Sequence, residues 1–156
     1  LNHPHIIKVK SLESVEHGMT LVLEDIAGKS LFDYVEHNPL NLSNFFKIAF
    51  SLADAVKYLH QQKIIHKNIN SFDIFLDSTA KDLKLGGFSF AAEFGREAQE
   101  ANINEVFEAG LTYISPEQTG RMNRAIDHRT DLYSLGVVFY EMLTGYPPFK
   151  ADDPIK

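Results

Sequence analysis

The chain contains no cysteine. Disulfide frameworks, zinc–thiolate sites and thiol nucleophiles are thereby excluded. No apolar run approaches the roughly 20 residues that a membrane-spanning helix needs, and no signal peptide is visible. Basic residues are in the minority: 15 Lys and Arg stand against 21 Asp and Glu, a net charge of −6. That balance argues against a nucleic-acid or anionic-membrane surface. Seven histidines are scattered along the chain without an H-E-x-x-H pair, so no zinc site is expected. His3 and His5 lie two apart, and His60 and His66 six apart. No internal repeat occurs. A chain of 156 residues is long enough for one domain with a buried core, and a cytoplasmic setting is the expectation.

Hydrophobic periodicity supplies the elements. Residues 41–62 read as a helix with Ser43 as its N-cap. Phe46, Phe50, Ala53, Val56 and Leu59 recur at spacings of three and four and form its expected buried face. Residues 74–77 and 83–85 read as two short strands flanking a polar turn. Gly145 fits the position just past a helix C-terminus, and Pro147 and Pro148 would end that helix. Residues 20–25 read as a strand through the apolar, partly β-branched Leu21-Val22-Leu23.

Between the first helix and the strand pair lies His66-Lys67-Asn68-Ile69-Asn70-Ser71-Phe72-Asp73. Gly87-Phe88-Ser89 follows the strands, and Ser115-Pro116-Glu117 comes later. In this order and spacing they resemble the protein-kinase motifs H-R-D-L-x-x-x-N, D-F-G and A-P-E. Residues 131–145 resemble the buried helix of the kinase C-lobe, D-x-x-S-L-G-x-x-x-Y-E-x-L-x-G. The run Tyr113-Ile114-Ser115-Pro116-Glu117-Gln118-Thr119-Gly120-Arg121-Met122-Asn123-Arg124 looks like one branch of the superfamily. That branch is the Ser/Thr-kinase-like domain heading large multidomain sensor proteins, typically followed by an ATPase module, a small-ligand sensor domain and often a histidine kinase. It commonly reads H-K-D-I-N-P-x-N at the loop, so Asn68, Ser71, Asp73, Gly87 and Ser89 depart even from the branch.

The resemblance covers nearly the whole chain, and it implies that residues 1–9 hold the end of a helix region and an N-lobe strand. It implies an α+β, partial protein-kinase-like fold: two N-lobe strands and a hinge, then a mostly helical C-lobe. Residues 1–27 would be the end of the N-lobe and the hinge, and residues 28–156 the C-lobe of one partial domain. Neither a G-x-G-x-x-G loop nor a V-A-I-K lysine is present; these parts cover and pair ATP phosphates and would lie upstream of Leu1. Since the first residue is Leu, a fragment of a longer protein is expected. Glu117, whose counterpart pairs with an Arg in a later helix, is expected to lack a partner in this chain.

The resemblance also assigns roles. Asn68 stands at the position of the catalytic Asp, and Gly87 at that of the Asp that holds Mg²⁺. Asp73 replaces the Asn of the second metal position and remains a possible oxygen ligand. Leu23, as gatekeeper, with Glu24 and Ile26 in the hinge, would contact the nucleotide. Phe75 would lie beneath the adenine, either crowding it or stacking on it. His66, Phe88, Glu117 and Asp131 would be structural. Thr112, Tyr113 and Ser115 are the hydroxyls of the activation segment after Ser89, open to a phosphorylation switch or to packing roles. Losing a positioned base costs about 10²–10⁴-fold in rate, and losing the metal carboxylate adds to it.

Because the N-lobe half of the cleft would lie upstream, the family's ATP and Mg²⁺ are not expected to bind this chain tightly. The implied function is a pseudokinase, regulatory or scaffolding, contacting other domains of a larger signalling protein. A weakly active Ser/Thr kinase and a decayed segment without function are the alternatives.

Overall fold

The computed structural model describes residues 1–16, 18–36, 39–77, 82–95, 111–119 and 124–149. Strands β1 (Val9–Val15) and β2 (Gly18–Leu23) form an antiparallel hairpin, with Val9 opposite Leu23. A short β3 (Gly28–Ser30) leads into α1 (Leu31–Val35). The long α2 (Leu42–Gln61) follows, then β4 (Ile64–Ile65), β5 (Ile74–Asp77), β6 (Leu83–Leu85) and β7 (Ala92–Glu93). Short 3₁₀ turns at Phe88–Phe90, Leu111–Tyr113 and Pro116–Thr119 precede the last described helix, α3 (Arg129–Thr144). β3, β5 and β6 make one antiparallel sheet, and β4 pairs with β7. The architecture is α+β, as expected. Residues 78–81, where a polar turn was expected, residues 96–110, within the expected activation segment, and residues 150–156 lie outside the described residues.

The β5–β6 pair forms where the sequence placed it. Ile74, Leu76, Leu83 and Leu85 point into the core, with half-buried residues between them, the period-two signature of a strand. The N-terminal strand is a correction. Residues 1–8 form no strand; β1 starts at Val9. The preceding segment is instead pinned to β6. Ile7 N–H donates to Leu85 O at 3.0 Å, and Leu85 N–H donates to His5 O at 2.9 Å. Those bonds use the backbone of the apolar His5–Ile7 stretch, so pairing with β6 replaces a hairpin role. The strand expected at 20–25 runs from Gly18 to Leu23, and Glu24 and Asp25 fall outside it.

Two expectations for α2 are also corrected. The cap is Asn41, extended at φ −67° and ψ 155°, whose side-chain oxygen accepts from Asn44 N–H at 2.9 Å. Ser43 lies inside the first turn. The buried face is Ile48, Leu52, Ala55, Val56 and Leu59. Phe46 and Phe50 stack on each other in solvent at a centroid distance of 6.1 Å, and Ala53 is exposed. Both stripes satisfy a 3.6-residue period, and they share Val56 and Leu59. Leu52 and Leu59 are fully covered in the common core with Leu85 and Val138, so the aliphatic stripe is the one that meets the sheet and α3.

α3 ends as expected, with Gly145 at φ 79°, its N–H donating to Glu141 O. A positive φ is cheap only for residues such as glycine.

The two stripes are separable by mutation. Leu52→Ala should destabilise the chain by about 2–5 kcal/mol. Phe50→Ala should change stability by no more than about 0.5 kcal/mol. Urea denaturation of the two variants checks the assignment, and the reverse order would refute it.

Candidate functional site

The loop between β4 and β5, residues 66–73, carries the sequence-predicted chemistry. It is held from outside by Asp131, the third residue of α3 and fully buried. One carboxylate oxygen of Asp131 accepts from Lys67 N–H at 2.8 Å. The other accepts from His66 N–H at 3.0 Å and from His60 Nε2 at 2.8 Å. Lys67 has φ 67°, a conformation uncommon for a non-glycine residue. Its peptide is gripped on both sides, since Gln118 Nε2 donates to Lys67 O at 2.8 Å. These bonds offset the strain of the turn.

His66 is fully buried, with its ring 4.6 Å from that of Phe88. Its Nε2–H donates to Gly86 O at 2.8 Å, and its Nδ1 accepts from Asn68 N–H at 3.3 Å. Both nitrogens are therefore satisfied in the neutral ring, and a second proton would displace the Asn68 bond. Burial accordingly holds the His66 imidazole below its ordinary value, against the opposing pull of Asp131 and of the Gly86 carbonyl.

Asn70 organises the rest of the loop. Its oxygen accepts from Phe72 N–H at 2.9 Å and Asp73 N–H at 3.0 Å. Its amide nitrogen donates to Asn68 O at 3.0 Å and to an Asp73 carboxylate oxygen at 2.8 Å. An Asn two and three residues before the N–H groups it caps is an Asx turn; that spacing was the signal available in the sequence, and no role was read from it. Asn68 Oδ1 is buried and has no hydrogen-bond partner among the described residues. A neutral amide there can hold a hydroxyl but cannot take its proton.

Gly87 has φ 75° and lies against Asp73. A Cβ at 87 would sit 2.4 Å from Asp73 Oδ2 and 2.6 Å from its Cγ. The Asp73 side chain thus fills the space that a side chain at 87 would enter. The two positions are sterically exclusive in this arrangement. Of positions 68, 73 and 87, Asp73 alone carries a carboxylate, and one of its oxygens already accepts from Asn70. Among the described residues no group of three or more His, Cys, Asp or Glu is placed to hold a metal ion. This donor set does not fit the two Mg²⁺ ions of phosphoryl transfer.

A cavity of about 620 Å³ lies beside the hairpin, lined in part by Ile7, Val9, Leu21, Leu23, Gly87 and Phe88. Of the expected nucleotide contacts, Leu23 lines it; Glu24, Ile26 and Phe75 are not among its described lining residues. Glu24 is tied to β6 by Lys84 at 3.0 Å, and its carboxylate also accepts from Lys8 N–H. The hydrogen bond from Lys84 lowers the Glu24 pKa. Ile26 O accepts from Gly28 N–H. Phe75 sits on β5 opposite Ser30 and Lys84. Glu117 is a correction, because it has a partner in this chain: Thr130 Oγ1 donates to it at 2.9 Å. Of the activation-segment hydroxyls, Tyr113 and Ser115 are buried and bonded, and Thr112 is half-buried.

The His66 arrangement sets a pH dependence. A group whose folded pKa is depressed contributes stability that is present above its unfolded value, ordinarily 6.5, and lost as pH falls towards the folded one. The unfolding free energy should therefore fall below about pH 6.5, with a slope of up to about 1.4 kcal/mol per pH unit from this residue. His66→Phe, which keeps a ring against Phe88, should show a flatter profile between pH 5 and 6.5. Parallel profiles for the two proteins would refute a buried neutral imidazole.

Comparison with known proteins places these motifs. The family model described as "Protein kinase domain" matches residues 1–156. The chain is 30% identical over 160 residues to the serine/threonine-protein kinase PknB of Mycobacterium tuberculosis, covering 99% of this chain and 25% of the relative. It is 31% identical over 153 residues to the serine/threonine-protein kinase ULK3 of Rattus norvegicus, covering 97% of this chain and 31% of the relative. The chain thus spans about a quarter to a third of the length of these curated relatives. With a family match over all 156 residues, the chain belongs to the protein kinase domain family.

Proposed function

We propose that this kinase-family domain is a pseudokinase, a regulatory or scaffolding module that works through contacts with other domains of a multidomain sensor protein. The observation that carries this reading is the pairing of Gly87 with Asp73. Position 87 offers no ligand, and the carboxylate of Asp73 fills the space beside it. Asn68 supports it further, since an amide replaces the proton acceptor. The packing partners of the family motifs are kept: His66 against Phe88, and Asp131 beneath the loop. ATP and Mg²⁺ belong to the family, and this donor set disfavours tight binding of the pair.

A weakly active Ser/Thr kinase is the second reading. The feature that favours it is the same Asp73, an oxygen donor near the place of the missing one. The two readings separate in a phosphoryl-transfer assay of the full-length chain, with labelled ATP and casein as acceptor. A pseudokinase should turn over below about 0.01 per second, the low end of kinase rates reduced by the loss of one base. Any residual incorporation should be unchanged in Asp73→Ala. Faster turnover that disappears in Asp73→Ala would overturn the proposal in favour of a kinase.

The steric pairing has its own check. Gly87→Ala should cost about 1–3 kcal/mol through its positive φ and the crowding by Asp73. In an Asp73→Ala background the cost should shrink, a non-additivity that a double-mutant cycle in urea measures directly. Strict additivity would show that the two positions do not exclude one another.

A further inference from the structure

One buried polar atom of the 66–73 loop stands without a partner, next to the carboxylate of Asp73. Asn68 Oδ1 is buried and accepts no hydrogen bond among the described residues. Asn70 Nδ2 bridges Asn68 O at 3.0 Å and Asp73 Oδ2 at 2.8 Å, which keeps the two residues side by side. Among the described residues no Lys or Arg pairs with Asp73; Lys84 and Arg129 pair with Glu24 and Asp127 instead. His66 supplies no charge there, because its buried ring is held neutral. Asn68 and Asp73 are both half-buried, so neither is sealed from solvent. Together they offer an acceptor that lacks a donor and a negative charge that lacks a cation.

We propose that Asn68 Oδ1 and the Asp73 carboxylate form a seat for a primary ammonium group, the side-chain end of a lysine on a partner segment. The inference rests on the pseudokinase reading, since it needs Asp73 free of Mg²⁺. Chemistry selects among the possible occupants. A buried acceptor without a partner bears its full desolvation penalty, and any group that donates to Asn68 Oδ1 relieves it. A hydroxyl would do so but would leave the charge of Asp73 uncompensated. A guanidinium matches a carboxylate through both oxygens at once, and Asp73 Oδ2 is already held by Asn70. A divalent cation asks for about six oxygen ligands, more than one carboxylate and one amide supply. A primary ammonium is compact, carries one positive charge and three donors, and accepts nothing. It serves both residues at once. The net charge of −6 favours the approach of a basic partner. A docked lysine would give the domain a charge-selective contact at this loop, which is what a scaffolding module needs.

Titration of the full-length chain with n-butylammonium chloride at constant ionic strength tests this, read by NMR on the side-chain amide signals of Asn68 and Asn70. Saturable shifts are expected, with a dissociation constant on the order of 1 mM, the range open to so small a ligand. Nα-acetyl-lysine methylamide should bind at least as tightly. Tetramethylammonium has the same charge but no N–H, and n-butanol has a donor but no charge; each should bind at least about tenfold more weakly. Asp73→Asn, which keeps the size of the side chain, should weaken the ammonium by about tenfold. Asn68→Asp, which adds a charge, should tighten it. Equal binding of tetramethylammonium, equal binding of n-butanol, rejection of the lysine derivative, or no saturable shift at all would each overturn the seat. Should a variant fail to fold, the four ligands on the unaltered chain decide. Phosphoryl transfer measured on the same preparation separates this failure from that of the underlying reading. Absent ammonium binding with low turnover sinks the seat and leaves the pseudokinase standing, whereas rapid turnover sinks the pseudokinase and the seat with it.

Discussion

One buried carboxylate sets the geometry of the site. Asp131 accepts three hydrogen bonds, two from consecutive backbone N–H groups of the loop and one from His60. Removing a charge from water is costly, and it is tolerated where several donors converge on it. The first turn of a helix adds unpaired N–H groups and a favourable dipole, and Asp131 lies in that turn. The positive φ at Lys67 depends on this anchor, because an uncommon backbone conformation persists only where its surroundings over-determine it. His66 then sits where its neutral ring bridges Gly86 O and Asn68 N–H, and the Gly87-Phe88-Ser89 turn follows from that bridge.

On this frame stand Asn68, Asp73 and Gly87, the positions on which the proposed reading rests. Asn68 keeps its place in the backbone network while offering an amide. Gly87 leaves a space that the Asp73 carboxylate fills. Asn70 fixes that carboxylate by a short bond and caps the turn that carries it. Frame and chemistry are therefore separable in this domain. The frame rests on Asp131, His66, Phe88 and Gln118, and the chemistry would rest on positions 68, 73 and 87.

Much of this was legible from the residues alone. The strands at 74–77 and 83–85 and the helix end at Gly145 were legible in the residues, and the structural role of Asp131 came from the family resemblance. What misled was chemistry that two environments share. Phe46 and Phe50 are as apolar as Leu52, and only the sheet and α3 reveal which stripe is covered. Ser43 and Asn41 are both good caps, and the extended backbone at 41 decides between them. Residues 5–7 look like a strand because they do pair, but with β6 and over too short a stretch. Glu117 finds Thr130, thirteen residues on, a contact that no periodicity encodes. The steric exclusion between 73 and 87 was invisible for the same reason: both substitutions could be seen in the sequence, but not that they share one space.

The most direct test is equilibrium unfolding of Asp131→Asn in the full-length chain, at neutral pH. The substituted amide keeps the size of the side chain but presents an NH₂ to groups that need an acceptor. Three donors would compete for one remaining oxygen. The account predicts a loss of about 3 kcal/mol or more, with faster exchange of the amides in residues 66–73. A change within about 0.5 kcal/mol, the range of an ordinary surface substitution, would contradict it and show that the loop holds its shape without the carboxylate.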